Sequence, residues 1–158
     1  MRRIPAALSL AAALLSLAAC GAPRFNPDDP AVAAQIDSLL KTAMDGAIHA
    51  DADKTLSIAE GPGELTMITG DVLLSGLDSM KTQFRKTYSG IKSQQQSISQ
   101  KRVRLLSPDV AVLMAVGEGT YTDKAGWTSP PVGLGLTVVF VREHGAWQAQ
   151  HIHQSIAF

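Results

Sequence analysis

The second half of the chain constrains the fold most, because its side chains alternate between apolar and polar in four segments that short turns separate. Each segment has the period of a β-strand with one buried face. The segments cover residues 97–106, 110–121, 132–142 and 146–158, and the turns lie at residues 107–109, 123–126 and 143–145. Short connections join antiparallel neighbours, so the pattern predicts a four-stranded antiparallel meander.

Helical patterns precede this meander. Apolar residues recur every three or four positions from Val32 to Ala47, which predicts an amphipathic helix that reaches about Ala50. Asp29 can cap this helix, and Pro30 fits its first position, where a missing N–H costs nothing. A second short helix follows residue 51 or 53, two short strands cover residues 64–69 and 72–75, and a third helix runs from residue 76 to 90.

This order of elements predicts an α+β fold, in which a strongly curved antiparallel sheet packs on three helices from the N-terminal side of the chain. Glycines inside the strand patterns indicate the curvature, because they favour bends and bulges: Gly117, Gly119, Gly133 and Gly135. A curved sheet wrapped on helices encloses a cavity with a mouth at one end.

Residues 1–19 have the features of a secretory signal peptide. Arg2 and Arg3 precede an apolar run that ends at Ala19 and is too short to cross a bilayer. The sequence Leu17-Ala18-Ala19-Cys20 resembles the bacterial lipobox, which implies cleavage before Cys20 and lipidation of its sulfur. Residues 20–30 contain three prolines and predict an extended tether, so residues 31–158 form the single domain.

Composition limits the chemistry of that domain. Cys20 is the only cysteine, so its lipidation would leave no thiol for disulfides, catalysis or metal binding. The chain has 14 basic and 14 acidic residues, and loss of Arg2 and Arg3 leaves about two excess acids. The basic residues are scattered, so we expect no nucleic-acid partner.

Three stretches resemble the SnoaL-like branch of the NTF2-like superfamily. Gly145-Ala146-Trp147, followed by His151, His153 and Ser155, is similar to the C-terminal strand of that family; residues 102–112 and 76–84 are similar to its preceding hairpin and third helix. The resemblance covers about residues 31–158 and implies a cone-shaped NTF2-like fold with an inner pocket and sheet-to-sheet homodimers. The superfamily includes isomerases, cyclases and dehydratases as well as binding and assembly modules, so fold alone does not choose a function.

The last strand supplies the candidate ligand site. In a regular strand, Trp147, His151, His153 and Ser155 share one face, where the imidazoles and hydroxyl would orient a polar group of a small lipophilic ligand. Alternatively, the histidines only hydrogen-bond their neighbours in a polar core layer or a dimer interface. The opposite face, with residues 148, 150, 152, 154 and 156, predicts a partly wet dimer interface.

Glu118 is the acid most deeply embedded in a strand pattern, and it is a further candidate for the ligand site. A buried acid there would favour the alternative function, a ketosteroid-isomerase-like enzyme that uses general acid–base chemistry. On the outer surface it would be an ordinary solvated carboxylate. A His-x-His pair can also bind zinc, with His49, His144 or Glu118 as third ligand, but these lie far away in sequence. We therefore assign no catalytic residue, metal or cofactor.

The sequence as a whole predicts a lipid-anchored protein of the cell envelope. Gly21 after the cysteine, rather than an aspartate, is similar to lipoproteins of the outer membrane, which places the domain on its periplasmic side. The expected partners are the membrane, a small lipophilic ligand and a second copy of the chain. The domain acts as a binding or assembly module in this interpretation.

Overall fold

The computed structural model describes residues 25–61 and 63–157, so the predicted signal peptide, lipidation of Cys20 and the first part of the tether lie outside the described residues. The helices are α1 (Pro30–Ile48), α2 (Ala52–Leu56) and α3 (Leu77–Ser89), and a 3-10 turn (Ser57–Ala59) follows α2. The strands are β1 (Thr66–Thr69), β2 (Val72–Ser75), β3 (Ile91–Ser107), β4 (Val110–Asp123), β5 (Val132–Glu143) and β6 (Ala146–Ala157). Within these ranges no helix is both long and apolar enough to cross a membrane.

The helices begin where the sequence carries capping signals. The Asp29 carboxylate accepts the Ala31 N–H at 2.9 Å, and Pro30 occupies the first helical position of α1. Asp51 caps α2 by accepting the Lys54 N–H at 2.9 Å. The predicted helices are confirmed, and the ends of α1 and α3 differ from prediction by no more than about two residues.

All six strands form one curved sheet in the order β2-β1-β6-β5-β4-β3. The strands from β3 to β6 pair as the predicted antiparallel meander. β1 pairs with β6 in parallel, with Thr66 opposite His151, so the sheet is mixed rather than wholly antiparallel. Because this pairing joins positions 85 residues apart, no local pattern indicates it.

Four register shifts interrupt the described ladder, three in β3 and one in β6, and two of them lie in the middle of their strands. In β3, Ile98 lies opposite Gly117 and Gln100 opposite Val116, which leaves Ser99 as the extra residue. In β6, Ala149 lies opposite Phe140 and His151 opposite Val139, which leaves Gln150 as the extra residue. Bulges bend a strand and increase its twist, so they account for much of the curvature that the glycines predict.

The core lies between the helices and one face of the sheet. We call this face the inner face and the opposite one the outer face. The most deeply buried side chains of the core include Ile36, Leu56, Met80, Leu113 and Phe140. On the outside, Arg85 of α3 donates to both carboxylate oxygens of Asp53 at 2.7 and 2.8 Å. Solvent screens such exposed pairs, so apolar burial rather than this ion pair holds the helices on the sheet.

The segment before α1 contacts the free edge of β3. The Pro27 carbonyl accepts the Leu105 N–H at 2.8 Å, and Arg102 donates to the Asp28 carboxylate at 3.4 Å. Since residue 27 lies beside residue 105 and residue 28 beside residue 102, the segment runs antiparallel to β3. Part of the predicted tether thus covers the edge of the sheet.

Candidate functional site

A cavity lies between the inner face and the helices. Its larger chamber has a volume of about 530 Å³, and its smaller chamber, which lies against the core, adds about 120 Å³. The two chambers share part of their wall, namely Met67, Phe84, Tyr88, Gln96, Leu134 and Gln154. This volume is typical of a small-molecule site, and the cavity is where the predicted curvature of the sheet places it.

The cavity wall is apolar with a few neutral polar groups. Its aliphatic surface comes from α1 and from the central strands, with Leu40, Met44 and Leu136 among the lining side chains. The polar lining consists of amides, hydroxyls and phenols, and none of the described lining residues is Asp, Glu, His, Lys or Arg. The cavity is therefore suited to an uncharged ligand.

Tyr88 places a buried phenol in this wall. Its ring meets Phe84 edge to face, with centroids 5.6 Å apart, and its hydroxyl lies 3.3 Å from Thr55 Oγ1. Burial raises the pKa of Tyr88, although hydrogen bonds with Thr55 and Gln94 act in the opposite direction. The phenol is therefore neutral at physiological pH.

Five of the described lining residues are glutamines, and three of these are partly buried: Gln94, Gln96 and Gln154. The Gln94 side chain donates to the Ala47 carbonyl of α1, which fixes its orientation. Gln96 of β3 and Gln154 of β6 are partly buried, and within the described ranges neither side-chain amide makes a hydrogen bond. Each can offer a donor and an acceptor to a ligand.

The face predicted for Trp147 is wrong, and the bulge in β6 is the reason. Gln150 inserts one residue, so the side-chain alternation changes phase between Ala149 and His151. Trp147 belongs to the buried core and is 6% exposed, with the Arg142 guanidinium 5.2 Å from its ring centroid. It does not share a face with the two histidines and Ser155.

His151 joins two strands of the sheet. Its Nδ1 lies 2.8 Å from Thr66 Oγ1 of β1, and the two atoms share a hydrogen bond across the parallel pair. The contact matches the alternative in which the histidines only hydrogen-bond their neighbours. The ring does not line the cavity.

The remaining candidates lie on the outer face. His153 and Ser155 line a shallow cleft of about 400 Å³ together with Arg102, Met114 and Val116. Glu118 is exposed, opposite Ser97 of β3 and Gly133 of β5. The inner position expected for His153 and Ser155 is therefore wrong, whereas Glu118 lies on the outer surface, as in the alternative of a solvated carboxylate. Contact of these residues with a ligand stays a prediction.

The bulge also corrects the dimer face expected for the last strand. Ile152, Gln154 and Ile156 line the cavity or its mouth, although they were expected outside. The outer face presents His153 and Ser155 in their place.

The possible third zinc ligands do not gather around the histidine pair. His49 lies at the end of α1, with Nδ1 2.8 Å from the Asp45 carbonyl oxygen. His144 is exposed in the turn between β5 and β6. Across residues 25–61 and 63–157, no three His, Cys, Asp or Glu side chains are grouped so that they could hold a metal ion.

Sequence reasoning missed the cavity amides because β3 begins six residues before its predicted start. Residues 92–97 read Lys-Ser-Gln-Gln-Gln-Ser, which has no apolar alternation. Gln94, Gln95 and Gln96 all line the cavity from this stretch; Gln94 and Gln96 are partly buried, and Gln95 is exposed. The sequence signal for these cavity residues is the run of three glutamines shortly after the end of α3.

Comparison with known proteins agrees with this architecture. The family model described as the calcium/calmodulin dependent protein kinase II association domain matches residues 28–157. No curated protein matches the chain significantly in sequence.

Solved structures share the fold at low sequence identity. A nuclear transport factor 2 (NTF2-like) superfamily protein from Salmonella enterica serovar Typhimurium superposes with a TM-score of 0.72 at 14% identity, over 81% of this chain and 92% of that one. A ketosteroid isomerase-like protein from Erwinia carotovora gives 0.65 at 20% identity, over 78% and 94%. A protein from Xanthomonas campestris, assigned as a calcium/calmodulin dependent protein kinase II association domain, gives 0.61 at 25% identity, over 79% and 84%. The fold is therefore NTF2-like.

Proposed function

The chain belongs to the calcium/calmodulin dependent protein kinase II association domain family, and from this membership and its cavity we propose that it is a lipid-anchored binding module of the cell envelope. The ligand is a small, uncharged, lipophilic molecule held in the cavity. The observation that carries the proposal is the apolar wall interrupted only by neutral amide and hydroxyl groups.

The ligand class follows from what the wall can solvate. A charged group inside an apolar cavity needs an opposite charge or several hydrogen bonds, because its desolvation is costly. Gln96 and Gln154 can instead pair with a neutral carbonyl, hydroxyl or amide. The aliphatic surface of α1 and β5 packs on the rest of the ligand.

The location is proposed from the N-terminal sequence. The signal peptide pattern and the lipobox resemblance support lipidation of Cys20, and Gly21 favours the outer membrane with the domain on the periplasmic side. The narrower SnoaL-like assignment is likewise supported only by the sequence resemblance.

The enzymatic alternative has little support in the cavity. A ketosteroid-isomerase-like reaction needs a general acid or base within reach of the substrate. No carboxylate or imidazole is among the described lining residues, and Glu118 and His153 lie on the outer face. We therefore favour binding over turnover.

Binding of a neutral fluorescent lipophile such as Nile red to residues 25–158 tests the proposal. Gln154→Leu should weaken binding roughly two- to twelvefold, because it removes about 0.5–1.5 kcal/mol of hydrogen bonding. Gln100→Leu, on the outer face, is the matched control and should leave the Kd unchanged. Equal affinities in both variants, or native mass spectra of the purified protein without any bound lipophile, would contradict ligand binding in this cavity.

A second candidate function is assembly. The outer face exposes Met114 and Val116, which are 40% and 47% accessible, in the middle of the sheet. Apolar side chains at the centre of a sheet face suit a sheet-to-sheet homodimer. A dimer is compatible with the cavity, because the cavity lies on the other face.

A further inference from the structure

We propose that the domain docks on an anionic lipid bilayer through the end of β3, with Phe25, Arg104 and Leu106 at the membrane surface. We call these three residues the β3-end surface. The inference rests on the lipid anchor of the proposed function but not on the cavity or its ligand.

The path of the chain brings Phe25 to this surface. The segment before α1 runs antiparallel to β3, from Pro27 beside Leu105 to Asp28 beside Arg102. Residues that precede Pro27 are therefore directed toward the turn between β3 and β4. Leu106 lies at the same end of the strand, one residue before its terminus.

Chain length limits how far this end can be from the anchor. Five residue steps separate Cys20 from Phe25, which span at most about 18 Å when fully extended. β3 has 17 residues, a length of up to about 56 Å along the strand. The end of β3 is consequently held near the bilayer by a lipidated Cys20, whereas Ile91 at the start of the strand can lie much farther away.

The side chains at this end suit a membrane surface. Phe25 is 48% and Leu106 62% exposed, so both can enter the boundary between headgroups and acyl chains. Arg104 is exposed on the adjacent outer-face position and has no ion pair with any described residue. An unpaired arginine beside apolar side chains is the combination that binds anionic lipid surfaces.

Nearby acids do not cancel this charge. Asp28 pairs with Arg102 at 3.4 Å, and Asp109 pairs with Arg142 at 2.9 Å. The Asp29 carboxylate caps α1. Among the described residues at this end of β3, these contacts leave Arg104 as a cation available to lipid headgroups.

Fluorescence quenching in vesicles tests the orientation with the full-length, lipidated protein. Because a lipidated Cys20 has no free thiol, Leu106→Cys and Leu73→Cys each accept a single fluorophore. Leu73 is the matched control, since it is 66% exposed on β2 at the opposite edge of the sheet. The vesicles contain phosphatidylcholine, phosphatidylglycerol and a small share of lipid with a nitroxide on its headgroup.

We expect strong quenching at position 106 and little at position 73. Arg104→Gln should lower the ratio of docked to undocked domain about fivefold, as expected for the loss of one basic residue at an anionic surface. Lys124→Gln, which removes an exposed lysine at the far end of the β3–β4 hairpin, should have no effect.

Equal quenching at both positions in protein whose mass confirms the lipid would overturn the docking proposal and leave the proposed function intact. A fluorophore at position 106 that is shielded from solvent in native envelopes, but that nitroxide lipid does not quench in vesicles, would also overturn the docking proposal. A protein partner rather than the bilayer would then cover this position. A mass that shows no lipid on Cys20 would overturn both the anchor and the docking.

Discussion

At the scale of single residues, Gly117 occupies a position with no room for a side chain. A Cβ there would lie 1.9 Å from the Ser97 carbonyl oxygen, which belongs to the backbone of the bulged strand and cannot rotate away. Gly117→Ala should lower the free energy of unfolding by roughly 1–3 kcal/mol, the range for overpacking. Denaturant unfolding measures this change.

Gly133→Ala is the matched control for that prediction. The nearest atom to its Cβ would be Ala157 Cβ at 3.6 Å, an ordinary van der Waals contact. The control should change stability far less than Gly117→Ala. Similar losses in both variants would mean that general strand effects of alanine, rather than the close approach, determine the result.

Tyr88 makes the stability of the domain sensitive to alkaline pH. Burial raises its pKa in the folded protein, so the unfolded chain ionises first as the pH rises above about 10. The stabilisation is complete below that pH and is lost as the pH rises through the folded pKa. Tyr88→Phe should therefore reduce the alkaline loss of unfolding free energy, measured by urea titration at neutral pH and at about pH 11. An unchanged loss in the variant would assign the alkaline sensitivity to other groups.

At the scale of elements, the bulge in β6 decides which side chains line the cavity. Removal of Gln150 would restore strict alternation, with Trp147, Ala149 and Ile152 still on the inner face. We therefore expect the Gln150 deletion to fold with a loss of only about 1–2 kcal/mol, within the usual range for single changes. Circular dichroism and thermal unfolding measure both the fold and its stability.

Deletion of Thr137 is the contrasting change. Thr137 lies on the outer face of the neighbouring strand, opposite Met114 and His153, and its loss has no bulge to absorb it. The deletion would turn to the outer face either Leu136 or, on the other side of the gap, both Val138 and Phe140. This variant should therefore lose several kcal/mol of unfolding free energy or fail to fold. Equal tolerance of both deletions would show that the register of the sheet adjusts elsewhere.

The elements themselves were largely predictable, because their ends carry local chemical signals. Asp29 and Pro30 mark the start of α1, and Pro108 and Gly145 mark turns between long strands. The start of β3 was not predictable in this way, since its polar residues face a cavity or solvent rather than a dry core. Periodicity reports burial, and it fails where a strand lines a polar opening.

At the scale of the whole molecule, the outer face should hold two copies together. Val116→Glu places a charge at the centre of that face and should shift a dimer to monomer in analytical ultracentrifugation, because like charges would meet across the two-fold axis. Leu73→Glu, at the sheet edge, is the control and should leave the dimer intact. A wild-type chain that stays monomeric at high concentration would contradict the assembly proposal.

The candidate site was less predictable than the fold, because the faces of β6 depend on how this strand pairs in the sheet. The sequence indicates the curved sheet and its cavity, but one inserted residue, Gln150, determines which side chains of β6 face that cavity. Trp147 and His151 were assigned to a common face by strict alternation, and the structure places them on opposite faces. The bulge appears only in the pairing of β6 with β5, so the residue types of β6 alone do not show its position.

The final strand also determines when the molecule can be complete. β6 pairs with β5 on one side and with β1 on the other, so it closes a contact that spans 85 positions of the chain. A growing polypeptide cannot assemble this part of the cavity wall until the residues of β6, Ala146–Ala157, have been synthesised. A chain that ends after β5 but before β6 leaves the edges of β1 and β5 unpaired, and such edges favour aggregation. The proposed ligand binding therefore requires that β6 has already been added to the sheet.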